Sequence, residues 1–200
     1  MDEEGRAHMA DESGLDEWQR AMGVGDLGRL TARWLEGDLT YHPGSSAPAP
    51  ANGRVTVLAV LNRACFFTTW SQPGVSLVEG RGRRAAVGGF CDREVTGQIQ
   101  QATLATELVV LAFPPSVLSN GLHIPVTIHD GAAHAWIGTV TSGETIEESY
   151  GGRVGAQAVL ALKEAWQVTA FDPAWEDRDL LWTTLAVLGR EPATEAPGFP

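Results

Sequence analysis

Residues 66–90 read FFTTWSQPGVSLVEGRGRRAAVGGF, two apolar strand-like runs around a Gly- and Pro-containing connection. Only residues 71–83 separate Trp70 from Arg84. A parallel pairing needs a crossover of a dozen or more residues, usually a helix, plus its own turns. The two runs are therefore expected to be antiparallel neighbours. That geometry brings Thr69 and Trp70, at the end of the first strand, beside Arg83 and Arg84 at the start of the second. Residues 71–74 read as a turn, and Pro73 and Gly74 suit the two central positions of a type II turn.

A second register follows from Asp130 and Gly131, a favoured two-residue hairpin turn between residues 124–129 and 132–137. Counting back from the turn pairs Ile128 with Ala133, Val126 with Ala135 and Ile124 with Ile137, all on one face. Thr127, His129, His134 and Trp136 take the other face.

Helical spacing places Leu27, Leu30, Trp34 and Leu35 on one face of a helix capped by Asp26 and closed by Gly37. Residues 15–22 add an earlier turn or two, with Trp18 inward. Residues 54–63 read as a short buried helix, although their β-branched members also allow a strand. Residues 64–70 and 84–90 read as strands. Asp92 caps the next helix, with Val95, Ile99 and Ala102 inward. Residues 108–113 (LVVLAF) are apolar on both faces, as in a central strand covered on both sides, and Pro114 and Pro115 stop it. Strand, helix and strand over residues 84–113 predict a parallel, right-handed βαβ unit. Residues 138–155 read as loop, 156–165 as helix and 166–171 as strand. Asp172 and Pro173 then open a last helix, with Leu181, Leu185 and Leu188 inward and Gly189 at its end.

The expected architecture is a single α/β (α+β) domain over residues 15–189. It has a mixed sheet with a parallel βαβ unit, an antiparallel hairpin and helices packed on the faces. Residues 1–14 lack hydrophobic periodicity and read as a disordered acidic tail, and residues 190–200 as a frayed one. Residues 41–53 (YHPGSSAPAPANG) read as a loop. Only about 40 residues precede that loop, too few for a second core.

The net charge of −11 is uneven. Residues 1–17 hold seven acids and one base, so about half of the charge lies in the tail. A body that is still acidic argues against duplex nucleic acid as a partner, because such binding depends on neutralising phosphates. No apolar run approaches the roughly 20 residues that span a bilayer, and the acidic N-terminus resembles no secretory or transit segment. A cytoplasmic location without membrane contact is expected. Cys65 and Cys91 form no CxxC pair and read as reduced thiols.

Motifs with known chemistry are few. Residues 80–85 match the letters GxGxxA, but they precede a strand, whereas a dinucleotide fingerprint opens a helix. No Walker lysine motif, GxSxG, HExxH or EF-hand loop occurs. His123 and His129 lie roughly 20 Å apart on an extended strand, and His129 with His134 make too few ligands for structural zinc. No metal and no cofactor are expected. Cys91 precedes the Asp92 cap, where a thiol can gain nucleophilicity. Its base would have to be His42 or His123 brought near by the fold, and a buried small hydrophobe is the favoured reading. Arg81, Arg83 and Arg84 form the one dense basic run, suited to an anionic ligand or to guarding a strand edge. Thr69, Trp70, Ser71 and Gln72 offer hydroxyl, indole and amide groups at a strand end, where loops on a rigid frame often bind. The plainer role of these residues is strand formation and turn hydrogen bonding.

WLEG at 34–37, HPG at 42–44, LNR at 61–63, TTWSQPG at 68–74, RAAVGGF at 84–90 and WQVTAFDPAW at 166–175 together resemble an actinobacterial family of domains of unknown function. The resemblance spans most of residues 18–185. It implies a single intracellular domain and carries over no catalytic residue.

The sequence thus favours a non-enzymatic binding or interaction module, with Thr69, Trp70, Ser71, Gln72, Arg83 and Arg84 as the ligand- or partner-binding surface. A small anionic ligand or an acidic protein would suit it. The alternative is an enzyme acting on a small anionic substrate through the same arginines. No complete nucleophile–base pair can be read from the chain, and no catalytic residue is assigned.

Overall fold

A computed structural model describes residues 14–45, 54–117 and 122–189. Most of the expected tail at 1–14, all of 190–200 and the second part of the loop at 41–53 lie outside these residues. Residues 14–19 are helical, and Trp18 is fully buried with its indole N–H donating to the Tyr41 carbonyl at 3.1 Å. In chain order there follow α1 (Val24–Leu35), α2 (Val55–Arg63), β1 (Phe67–Gln72), β2 (Val75–Val78), β3 (Arg81–Arg83), β4 (Ala86–Cys91) and α3 (Arg93–Thr103). Then come β5 (Val109–Phe113), β6 (Ile124–His129), β7 (Ala132–Ile137), α4 (Gly143–Tyr150), α5 (Ala156–Lys163), β8 (Trp166–Phe171) and α6 (Leu180–Leu185), which runs into a 3-10 turn.

The strands form two four-stranded sheets among the described residues, in the orders β1-β4-β8-β5 and β2-β3-β6-β7. The antiparallel pairing of β1 with β4 is observed, with Trp70 opposite Gly88 and Gln72 opposite Ala86. The expected parallel βαβ unit is not. β4, α3 and β5 follow one another, but β8 lies between the two strands and pairs antiparallel with both. β4 and β5 therefore run the same way without pairing. The strand that separates them comes from more than 50 residues further along, so local pattern gave no warning of it.

β5 was expected at the centre of the sheet and lies at its edge. Its apolar character on both faces has another cause. Val110 and Ala112 pack with the helices, whereas Val109 and Leu111 pack against Val126 and Ile137 of the second sheet. The fully buried strand is β4.

Local signals fared better. Gly37 closes α1 with φ 87°, and the Asp38 and Gly37 N–H groups return to the Arg33 and Trp34 carbonyls. That is the Schellman arrangement. Asp92 caps α3 by accepting from the Val95 N–H at 2.8 Å. Asp130 and Gly131 both have positive φ, as a type I′ hairpin requires. Ile124 faces Ile137 and Ile128 faces Ala133 as expected. The third pair fails, because a bulge leaves Val126 out of the ladder and sets Thr127 opposite Ala135.

Four further expectations change. Asp26 lies in the first turn of α1 rather than at its cap, and its carboxylate reaches back to the Met22 N–H at 2.8 Å. Ser71 and Gln72 belong to β1 rather than to a turn, and Pro73 and Gly74 carry the chain into the second sheet. The tight turn lies at Glu79 and Gly80, both with positive φ. Part of the loop at 138–155 is α4, capped by Ser142 accepting from the Thr145 N–H at 3.1 Å. The last helix starts at Leu180, not at Asp172.

Candidate functional site

β1 is anchored at its start by Asn62, which is fully buried. Its amide donates to the Leu58 carbonyl at 2.8 Å and to Thr68 Oγ1 at 2.7 Å, and it accepts from the Thr68 N–H at 3.0 Å. The strand register then shifts between Thr68 and Trp70, leaving Thr69 as the extra residue of a bulge. Bulges re-aim side chains at strand ends. Here the Trp70 indole lies over Gly88, where a Cβ would sit 2.3 Å from Nε1. The indole remains 37% exposed.

Thr69, Trp70 and Ser71 form one wall of a cleft of about 190 Å³. Trp34 of α1, Leu58 of α2 and His42 from the loop after α1 form the others. The structure thus brings three of the predicted site residues together with His42. By sequence, His42 belongs to a Pro/Gly loop and Trp34 to the inner face of a helix. Neither residue carries a local signal of approach to β1.

His42 is buried between two tryptophans, with ring centroids 5.0 Å from Trp18 and 4.6 Å from Trp34. Nδ1 accepts the Gly44 N–H at 3.1 Å, which assigns the ring proton to Nε2. Nε2 faces Thr31 Oγ1 at 3.4 Å, and that hydroxyl donates in turn to the Leu27 carbonyl at 2.8 Å. Burial pushes the imidazole down to about 4, so the ring is neutral at pH 7. Both nitrogens are already engaged, which leaves no free base in the cleft.

Cys91 is fully buried, and its Sγ lies 3.3 Å from Thr96 Oγ1. Burial, aided by the Asp92 carboxylate, pushes the thiol up to about 12 despite the Thr96 contact. Desolvation overrides whatever the nearby helix start offers the thiolate. Cys91 and Cys65 are both free thiols.

Gln72 and Arg84 occupy a different place, the seam between the two sheets. The Gln72 amide donates to the Arg84 carbonyl at 2.8 Å and to the Val126 carbonyl at 3.0 Å, and accepts from Thr127 Oγ1 at 3.1 Å. The Arg84 N–H also donates to the Val126 carbonyl, at 2.9 Å. Its guanidinium donates to the Pro125 carbonyl at 2.8 Å and lies 4.4 Å from the Trp175 ring centroid. Burial lowers the Arg84 guanidinium, against the opposing effect of Asp172, and its Nε is buried without an acceptor among the described residues.

Asp172 completes the seam. Its side chain is 2% exposed and takes a two-pronged ion pair from Arg178, Nε at 2.6 Å and the terminal nitrogen at 2.8 Å. It also accepts the Ala174 N–H at 2.9 Å. Burial pushes this carboxyl up, but Arg178, the Ala174 N–H and the charge of Arg84 outweigh burial and hold it below the usual value. The expected helix cap is instead a buried anion.

Arg81 pairs with Asp130 at 2.8 Å. Arg83 is exposed, opposite Thr127 in the ladder, with no ion pair among the described residues. Neither Arg83 nor Arg84 lines the cleft.

A family model described as Domain of unknown function (DUF6919) matches residues 13–189. The chain belongs to that family. No curated protein matches it. Within this DUF6919 domain, the SQPG, RAAVGGF and FDPAW segments converge on the seam. Gly74 is one reason: a Cβ there would lie 2.3 Å from the Glu176 carbonyl oxygen.

Two other clefts, of about 460 and 370 Å³, contain none of the predicted residues. Several of their polar groups are engaged, although the buried Trp182 indole N–H in the smaller of the two has no acceptor among the described residues. Lys163 pairs with Glu147 at 2.6 Å, Gln167 makes two bonds with the Thr141 backbone, and Arg54 lies 3.6 Å from both Asp177 and Asp179. His129 and His134 face each other at 6.0 Å between ring centroids. Among the described residues no group of three or more His, Cys, Asp or Glu could hold a metal, and no helix is long and apolar enough to cross a membrane.

Proposed function

We propose that this domain is a non-enzymatic binding module that holds its ligand at the cleft beside Thr69, Trp70 and Ser71, with Trp70 as the anchor. One observation carries the reading. The cleft combines a half-open indole and hydroxyls with a histidine whose two nitrogens are both occupied. Such a site offers shape and hydrogen bonds but no acid–base pair. Gln72 and Arg84 act behind this surface, by setting the end of β1 against the second sheet. Arg83, exposed and without an ion pair among the described residues, favours a second reading in which an acidic partner docks on the arginine run.

The test is a thermal-shift screen of the full chain and of Trp70→Ala against a metabolite library, with recovered compounds checked by mass spectrometry. The expected result is a ligand-dependent rise in melting temperature that Trp70→Ala abolishes, with the ligand recovered unchanged. A chemically altered ligand would overturn the non-enzymatic reading. A stabilising compound insensitive to Trp70→Ala but lost on Arg83→Ala would move the site to the arginine run.

A further inference from the structure

Resting on the cleft reading above, the geometry points to an uncharged, ring-sized ligand rich in hydroxyl groups, of the monosaccharide class. Four observations converge. None of the described residues lining the cleft carries a formal charge at neutral pH. The cations of the two helices beside it already have acids: Arg29 with Asp26, Arg33 with Glu17 and Arg63 with Glu36. An ionic ligand group would lose its hydration there and gain no counter-charge, which is a strongly unfavourable exchange. The expectation of an anionic ligand therefore does not fit this cleft.

Size is the second observation. About 190 Å³ is below the roughly 300–1,000 Å³ of pockets that take drug-sized molecules, so a single ring is the natural occupant. The third is the wall. Trp70 packs over Gly88 yet is 37% exposed, and offers an apolar surface to the C–H face of a sugar ring. The fourth is the rim. Ser71 Oγ has no partner among the described residues, and Thr69 Oγ1 makes only a long bond of 3.4 Å to the Gly88 carbonyl. Hydroxyls both donate and accept, which suits a polyol and gives no preference for ionic charge.

Saturation-transfer NMR on the full chain tests this with neutral pyranoses (glucose, galactose, mannose) and with the charged rings glucuronate, glucosamine and glucose 6-phosphate. At least one neutral sugar is expected to bind at about 10 mM, with its charged counterparts at least about tenfold weaker. Trp70→Ala should remove the signal. Trp70→Phe, which keeps a flat apolar surface, should retain it within about threefold and guards against misfolding of the alanine variant. No neutral ring binding at that concentration overturns the inference. Binding of the charged rings alone, lost in Trp70→Ala, overturns this ligand class and leaves the cleft as the site. Binding that ignores both Trp70 variants overturns the cleft itself.

Discussion

At one end of β1, Thr69, Trp70 and Ser71 border a cleft with their polar groups largely unused. The next residue, Gln72, spends its amide on Arg84, Val126 and Thr127. The same contrast holds for the arginines. Arg83 is exposed and unpaired among the described residues, whereas Arg84 is tied to Pro125 and Trp175. Residues adjacent in sequence and alike in chemistry thus divide into a surface and a seam. The sign of the division is saturation. A polar group whose bonds are already made within the fold is scaffold, and one left open is available to a ligand.

The largest expected effect tests the seam. Gly74→Ala pushes a methyl to within 2.3 Å of the Glu176 carbonyl oxygen, a backbone atom that cannot swing aside. We expect a loss of about 3 kcal/mol in urea unfolding. A loss under about 0.5 kcal/mol would show that the 172–178 segment does not clamp the β1–β2 connection.

Asp172→Ala comes next. It removes the buried acceptor of the Ala174 N–H and of Arg178, which keeps Glu107 at 3.0 Å, and we expect a cost of about 2 kcal/mol. The figure is below that for a fully enclosed pair because Arg178 stays partly solvated. The pH dependence follows from the lowered carboxyl. Its contribution is fully present above the unfolded value of about 4 and is lost as pH falls through the folded value. Asp172→Asn should therefore flatten the acid limb of the stability profile. An unchanged acid limb would remove Asp172 from the seam.

The arginines sharpen the comparison directly. Arg84→Ala should cost about 1–2 kcal/mol through the lost Pro125 bond and Trp175 contact. Arg83→Ala should stay within about 0.5 kcal/mol of the parent. Equal costs would erase the distinction between the two positions. The smallest stability effect belongs to the cleft. Ser71→Ala should change the melting temperature by less than about 2 °C, yet weaken ligand binding several-fold. A stability loss matching that of Arg84→Ala would make the rim part of the scaffold.

Much of the local structure was legible. Asp92, Gly37 and the Asp130–Gly131 turn act through bonds spanning a few residues, so their chemistry identifies them without the rest of the chain. The antiparallel pairing of β1 and β4 was legible for a polymer reason, the short connection between them. Asp172 shows where such reading stops. Followed by proline, it has the signature of a helix cap. Its carboxylate instead answers Arg178, six residues on, and feels Arg84, far back in the chain.

By itself, then, the sequence determined the cap of α3 at Asp92, the close of α1 at Gly37, which strand pair shares a tight turn, that the chain is acidic, and that no familiar catalytic motif is present. These are properties of short segments or of composition. Only the tertiary structure decided that β8 enters between β4 and β5, that Gln72 and Arg84 join two sheets, and that Thr69, Trp70 and Ser71 meet His42 across a cleft. Strand edges carry the same backbone donors and acceptors whatever their sequence, and a side chain's unused valences are visible only once its neighbours are in place.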